Sequence, residues 1–180
     1  GFLASFVRPA PWRDRLRDAP APMRPAVWLL LWLLVRLMVA SGAVKLTSGD
    51  PTWRALTALR FHFETQPLPT PIAWYVHHAP EWLLQAMCAG VIGVELLAPF
   101  LILGTRRMRI AGFALLGGLQ VAIAATGNYA WFNLLASALS VFMLDDTMFG
   151  YSPVARRDGA PTPAAVVIAV ALTLPVSVVS

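Results

Sequence analysis

Arg36, Lys45 and Glu95 are ionisable residues that stand within or at the edge of long apolar runs. A charge is costly in lipid, so residues of this kind face a protein interior, a cavity or a partner. Arg36 and Glu95 both fall near the middle of their runs. The simplest expectation is a buried Arg36–Glu95 pair fixing the first apolar segment against the second, with a proton or substrate path as the functional alternative. Lys45 comes nine residues after Arg36, which at about 100° per residue turns it to the opposite helix face. The two basic groups are therefore expected not to share one partner. Lys45 ends the string Ser41-Gly42-Ala43-Val44-Lys45 near the outer end of its segment. Either it snorkels to the headgroups, or it is a partly buried amine whose lowered pKa makes it usable as a catalytic base.

A second group is His62, Glu64, Gln66, Trp74, Tyr75, His77 and His78, all between the first two apolar runs. His62, Glu64, His77 and His78 have ligand chemistry, but their spacing matches no established metal pattern, so no metal site is expected. Asn128 and Asn133 are placed to tie the start of the fourth segment to its neighbours. A glycine-rich phosphate loop, a nucleophile elbow and a helical HExxH are all absent, and no cofactor is expected.

The elements that must carry these residues follow from composition. Apolar residues are 58% of the 180 and charged residues 13%, the latter about half the usual share of a soluble domain. Ala26–Leu46, Trp82–Gly104 and Met108–Thr126 are each long enough to cross a hydrocarbon core of roughly 30 Å. Tyr129–Leu144, at 16 residues, needs Asn128 or a thinner bilayer to do so. The expected fold is all-α, a polytopic transmembrane helix bundle. Residues 1–9 read as the tail of a preceding membrane helix, 10–25 as a cytoplasmic linker broken by prolines, and 26–149 as a four-helix membrane domain. A second cytoplasmic linker is expected at 150–163 and a truncated fifth helix at 164–180, so the chain reads as a fragment. Cys88 is the single cysteine and reads as a small apolar residue inside the second segment.

The calculated pI near 10.3 does not indicate nucleic acid. With connections assigned alternately to the two membrane sides, Arg8, Arg13, Arg15, Arg17, Arg24, Arg106, Arg107, Arg109, Arg156 and Arg157 share one side. Only Arg54 and Arg60 fall on the other. Short connections rich in Arg and Lys stay in the cytoplasm, so the 47–80 connection is expected on the non-cytoplasmic face. Within it, Asp50-Pro51 reads as a helix cap followed by the first helical residue. Trp53, Leu56, Leu59, Arg60 and Phe63 then suggest one amphipathic helix over 51–63 lying in the interface. Gln66-Pro67-Leu68-Pro69-Thr70-Pro71 must be extended, and Trp74–His78 is expected to be helical. A connection of this length is rarely a passive linker.

The string Arg36-Leu-Met-Val-Ala-Ser-Gly-Ala-Val-Lys45-Leu with Gly49-Asp-Pro-Thr-Trp-Arg54 resembles the lipase maturation factor family. The resemblance continues at Phe61-His-Phe-Glu-Thr-Gln-Pro-Leu-Pro-Thr-Pro71, Trp74-Tyr-Val-His-His78, Gly127-Asn-Tyr129, Phe132-Asn-Leu134 and Leu144-Asp-Asp146. It implies a multi-spanning membrane protein required for secreted lipases to become active. The location would be the endoplasmic reticulum in animals, or the inner membrane of a bacterium, toward which the abundance of Ala, Arg and Pro points. It also implies a soluble C-terminal domain beyond Ser180. A fainter resemblance, around Gly42–Leu46, is to the membrane domain of vitamin K-dependent carboxylases, and it implies Lys45 as base.

Three functions compete on this reading. The first is a non-enzymatic folding or maturation factor for a secreted client such as a lipase, partnered by the bilayer and its own soluble domain. The exposed aromatics Trp53, Phe61, Phe63, Trp74 and Tyr75 of the loop would serve it. The second is a membrane enzyme using Lys45, with His62 or His77 in support. The third is a transporter subunit with Arg36 and Glu95 along a polar path, for which the segments supply few polar residues beyond Gln120 and Asn133.

Overall fold

The computed structural model describes residues 24–127, 130–144 and 148. The expected membrane-helix tail 1–9, most of the linker 10–25, Asn128, the linker 150–163 and the fifth segment 164–180 lie outside the described residues. The chain divides into two compact units, Leu33–Leu144 and a second made of residues 1–32 with 145–180. Only the first turns of one helix and Met148 of the second unit are described, so the account below concerns the first.

No strand occurs among the described residues. Helix α1 spans Arg24–Thr47. The connection after it holds three short helices, α2 Pro51–Arg54, α3 Ala58–Thr65 and α4 Pro71–His77. Helix α5 runs Glu81–Leu97 and continues as a 3-10 helix over Ala98–Leu103. Helix α6 is Arg106–Thr126 and α7 is Ala130–Val141. The change to 3-10 geometry coincides with Pro99, which lacks the amide that an α-helical turn would use.

Three of these segments, Pro25–Thr47, Glu81–Leu103 and Arg106–Thr126, are long and apolar enough to cross a membrane. At most 28% of each such window is buried inside the protein, so most of its apolar surface faces outward, the pattern required where lipid is the solvent. Trp131–Val141 is a shorter apolar helix. Three-residue turns at Phe142, Met143 and Leu144 extend it.

The connection between α1 and α5 differs from the single interfacial helix expected over 51–63. Asp50 does cap α2: its carboxylate accepts from the Thr52 amide at 2.9 Å and the Thr52 hydroxyl at 2.7 Å, with Pro51 in the first turn. The helix then stops, because Leu56 turns into the left-handed region at φ 58°. The chain restarts in α3 on a new axis, which carries Ala58, Leu59 and Phe63 inward. These join Ala73 of α4 and Leu84 and Cys88 of α5 in one core cluster, flanked by Trp53, Leu56 and Val76. Burying an apolar side chain contributes about 1.5–3 kcal/mol, so a helix whose apolar face can enter the bundle does so rather than lie flat. Gln66 begins the expected extended stretch, at ψ 141°, and α4 starts at Pro71, three residues before the predicted Trp74. Thr70 caps it, accepting from the Ala73 amide at 3.2 Å.

The same connection closes the end of α6. Gln66 Nε2 donates to the Thr126 carbonyl at 2.7 Å, and Thr70 Oγ1 donates to the Ala125 carbonyl at 2.6 Å. Terminal carbonyls without intrahelical partners need such donors. The loop thus packs into the bundle as a layer, with α3 against α4 and α5, and α4 against α6.

Candidate functional site

Glu95 is the most demanding group in this unit. It is 4% exposed and sits fourteen residues into α5, roughly 21 Å along the axis from Glu81. Its expected partner was Arg36; its actual partner is Lys45. Lys45 Nζ donates to Glu95 Oε2 at 2.7 Å and Oε1 at 2.8 Å. Ser41, one turn before Lys45, donates from its hydroxyl to Oε1 at 3.1 Å and accepts from Nζ at 3.0 Å. The Trp53 ring lies 5.3 Å from Nζ and adds a cation–π contact.

Gly42 explains the exchange of partners. A methyl group built there would lie 2.8 Å from Leu96 Cδ2 and 3.2 Å from Glu95 Cβ. Only glycine lets α1 approach α5 so closely, and that approach sets Ser41 and Lys45, not Arg36, beside the carboxylate. The helical arithmetic that separates Arg36 from Lys45 is consistent with this pairing. Lys45 does not snorkel, since its side chain is 18% exposed and committed to Glu95. An ammonium spent on both oxygens of a carboxylate has no lone pair to offer a substrate, so the geometry gives the base reading no support. Ser41 was missed from sequence, although its i,i+4 relation to Lys45 was the available signal.

His62 is half-buried on α3, stacked edge-on to Phe63 with ring centroids 5.5 Å apart. Burial, and next the charge of Lys45, hold its pKa below 6.5. The other loop residues gather around α4. His77 Nε2 lies 3.1 Å from Glu64 Oε1. His78 Nδ1 lies 2.7 Å from the Trp74 carbonyl, a contact that requires the proton on Nδ1. The Trp74 and His78 rings are 4.3 Å apart, and Trp74 meets Tyr75 edge-on at 5.1 Å. Trp74 and Tyr75 are exposed, as is Phe61. Phe63, expected to be exposed with them, is buried, because the break at Leu56 turns it into the core. Gln66 is buried at the end of α6.

Of these residues His77 and His78 line a cavity of about 290 Å³, whose other walls are Leu56, Thr57, Arg60, Ala79, Glu81, Leu84 and Gln85. Sequence reading did not connect Arg60 with His77 and His78, because residues so far apart in the chain meet only through the turn of α3 onto α4. His62 belongs to the Lys45 neighbourhood instead. Among the described residues no three His, Cys, Asp or Glu side chains come together to hold a metal.

Asn133 is buried on α7 and donates to the Gln120 carbonyl at 3.3 Å, tying α7 to α6. Gln120, also buried, approaches the Met38 sulfur at 3.9 Å. With Asn133 it cross-links three helices.

The lipase maturation factor transmembrane domain family model matches residues 1–151. Human lipase maturation factor 2 is 43% identical over 162 residues, covering 85% of this chain and 23% of that protein. The mouse lipase maturation factor 2 is 41% identical over 189 residues, 99% of this chain and 27% of its own length. Human lipase maturation factor 1 is 35% identical over 151 residues, 84% of the chain and 26% of its length. The chain spans about a quarter of the length of the curated relatives it matches. No solved structure matches. Apolar helices of spanning length and the match to a transmembrane domain make this an integral membrane protein. By the extent of that match, the chain belongs to the lipase maturation factor transmembrane domain family.

Proposed function

We propose that this chain is the membrane part of a maturation factor for secreted proteins, with lipases as clients and a soluble domain of the same protein as working partner. The names and identities of the relatives support the client class. The observation that carries the reading is the folded layer α2–α4. It is anchored to the bundle through its core cluster and the Gln66 and Thr70 contacts, while Phe61, Trp74 and Tyr75 are left exposed. A rigid layer with exposed aromatics can position a client or the soluble domain, since aromatic anchors give large contact area at low entropic cost. In this proposal the layer faces the lumen of the endoplasmic reticulum in an animal cell, or the periplasm in a bacterium, as the arginine asymmetry requires.

The test is secreted lipase specific activity in a strain lacking the full-length gene, with lipase protein quantified in parallel. Specific activity should fall at constant lipase protein and return with the wild-type gene. A gene carrying Phe61→Ala, Trp74→Ala and Tyr75→Ala together should restore it only in part. Unchanged specific activity in the deletion strain would refute the client assignment.

A further inference from the structure

The cavity between α3, α4 and the start of α5 is not explained by client maturation. It carries opposite charges on one wall set, Arg60 on α3 and Glu81 on α5, with Thr57, Gln85, His77 and His78 between apolar Leu56 and Leu84. Arg60 makes no ion pair among the described residues. His77 is held to Glu64 through Nε2, at 3.1 Å. Leu56, also on the wall, holds a left-handed backbone. For a residue with a branched side chain this costs on the order of 1–3 kcal/mol, and such strain collects at ligand sites.

Depth identifies the ligand. The spanning segment begins at Glu81, so a cavity walled by Glu81, Leu84 and Gln85 lies at the first turn of a membrane crossing. Exposed Trp74, Tyr75 and Trp82 neighbour its wall residues His77, His78 and Glu81 in the chain, and aromatic rings of this kind sit at the level of the lipid headgroups. A volume of about 290 Å³ is far above the roughly 10–15 Å³ that a single water needs, so the cavity has room for a polar headgroup.

We infer that this cavity seats a phospholipid headgroup, its phosphodiester on Arg60 and, in an ethanolamine lipid, its ammonium on Glu81. Guanidinium is the side chain best suited to a phosphate oxygen pair. The Glu81 carboxylate supplies the acceptor for an ammonium. The acyl chains then run down the apolar outer face of α5 below Trp82.

Native mass spectrometry of the full-length protein tests this directly. The protein in detergent is offered equal amounts of phosphatidylethanolamine and phosphatidylglycerol with the same acyl chains. One lipid should stay bound, with ethanolamine preferred. Arg60→Gln should lower retention of both about tenfold or more, the loss of a charge-assisted contact. Glu81→Gln should keep a bound lipid but level the preference. Gln85→Trp, which fills the cavity from α5, should lower retention as Arg60→Gln does, and an unchanged Tm for either variant separates that loss from unfolding. If Arg60→Gln fails to fold, Gln85→Trp decides. Wild-type retention by the folded variants would overturn the site, and an unaltered preference in Glu81→Gln would overturn the ammonium assignment. Inorganic phosphate or soluble glycerophosphoethanolamine raising Tm as far as the intact lipid would assign the cavity to a free phosphate compound and remove the lipid.

Discussion

Lys45 and Glu95 keep 18% and 6% of their side-chain exposure, so neither can recover much solvation if the other is lost. Lys45→Ala or Glu95→Ala should each destabilise the protein by about 3–5 kcal/mol, because one charge stays buried without a counter-charge. The double variant Lys45→Met/Glu95→Leu should recover most of that loss, and thermal unfolding in detergent reads all three. A Lys45→Ala protein as stable as wild type would show that the pair contributes nothing. His62 gives a pH signature. Its pKa is held below 6.5 by burial and then by Lys45, so the unfolded chain binds the proton first and stability rises with pH in that range. Its contribution is complete above about pH 6.5 and is lost as pH falls below that value toward the folded-state pKa. Tm should therefore drop between pH 7.5 and 5, and His62→Gln should make that part of the profile shallower; equal slopes would exclude His62. At this scale the sequence identified Lys45 and Glu95 as residues needing partners. It could not match them, because matching depends on how closely two backbones approach, and Gly42 sets that distance only in the folded pair.

Helix α1 meets α5 where Gly42 leaves room for Leu96 and the Glu95 stem. Gly42→Val should force the helices apart and cost about 1–3 kcal/mol as an overpacked contact, with Glu95 losing Ser41 and Lys45 together. On α5, Gly90 and Gly93 have open space where a side chain would project, so Gly90→Ala should shift stability by no more than about 1 kcal/mol, in the favourable direction. Comparing the two Tm values checks both expectations, and a tolerated Gly42→Val would show that the approach is not tight. Helix positions and caps were legible in the sequence: Asp50-Pro51 at α2, the extended Gln66–Thr70 stretch, and the apolar runs of α1, α5 and α6. The split between α2 and α3 was not, because Leu56 has no local reason to enter the left-handed region. Tertiary burial of Leu59 and Phe63 drives that turn, and the continuous apolar spacing from Trp53 to Phe63 conceals it.

For the molecule as a whole, the arginine asymmetry remains the argument for orientation, and it is open to a direct check. Single cysteines placed at Ser48 and at Thr105 in the full-length protein should react with a membrane-impermeant thiol reagent from opposite sides, Ser48 from the non-cytoplasmic side. Cys88, fully buried, should stay silent. Labelling of both positions from one side would overturn the arrangement. The Lys45–Glu95 clasp joins residues fifty apart, and this bears on how the protein is made. An ionised side chain entering the centre of a bilayer alone costs about 2.5–3.5 kcal/mol on insertion scales. Helix α5 emerges from the ribosome after α1 and carries Glu95, so its integration is favoured when Lys45 is already in place. The pair thereby links the order of synthesis to the order of membrane insertion, and α1 acts as an intramolecular escort for the acidic helix that follows it.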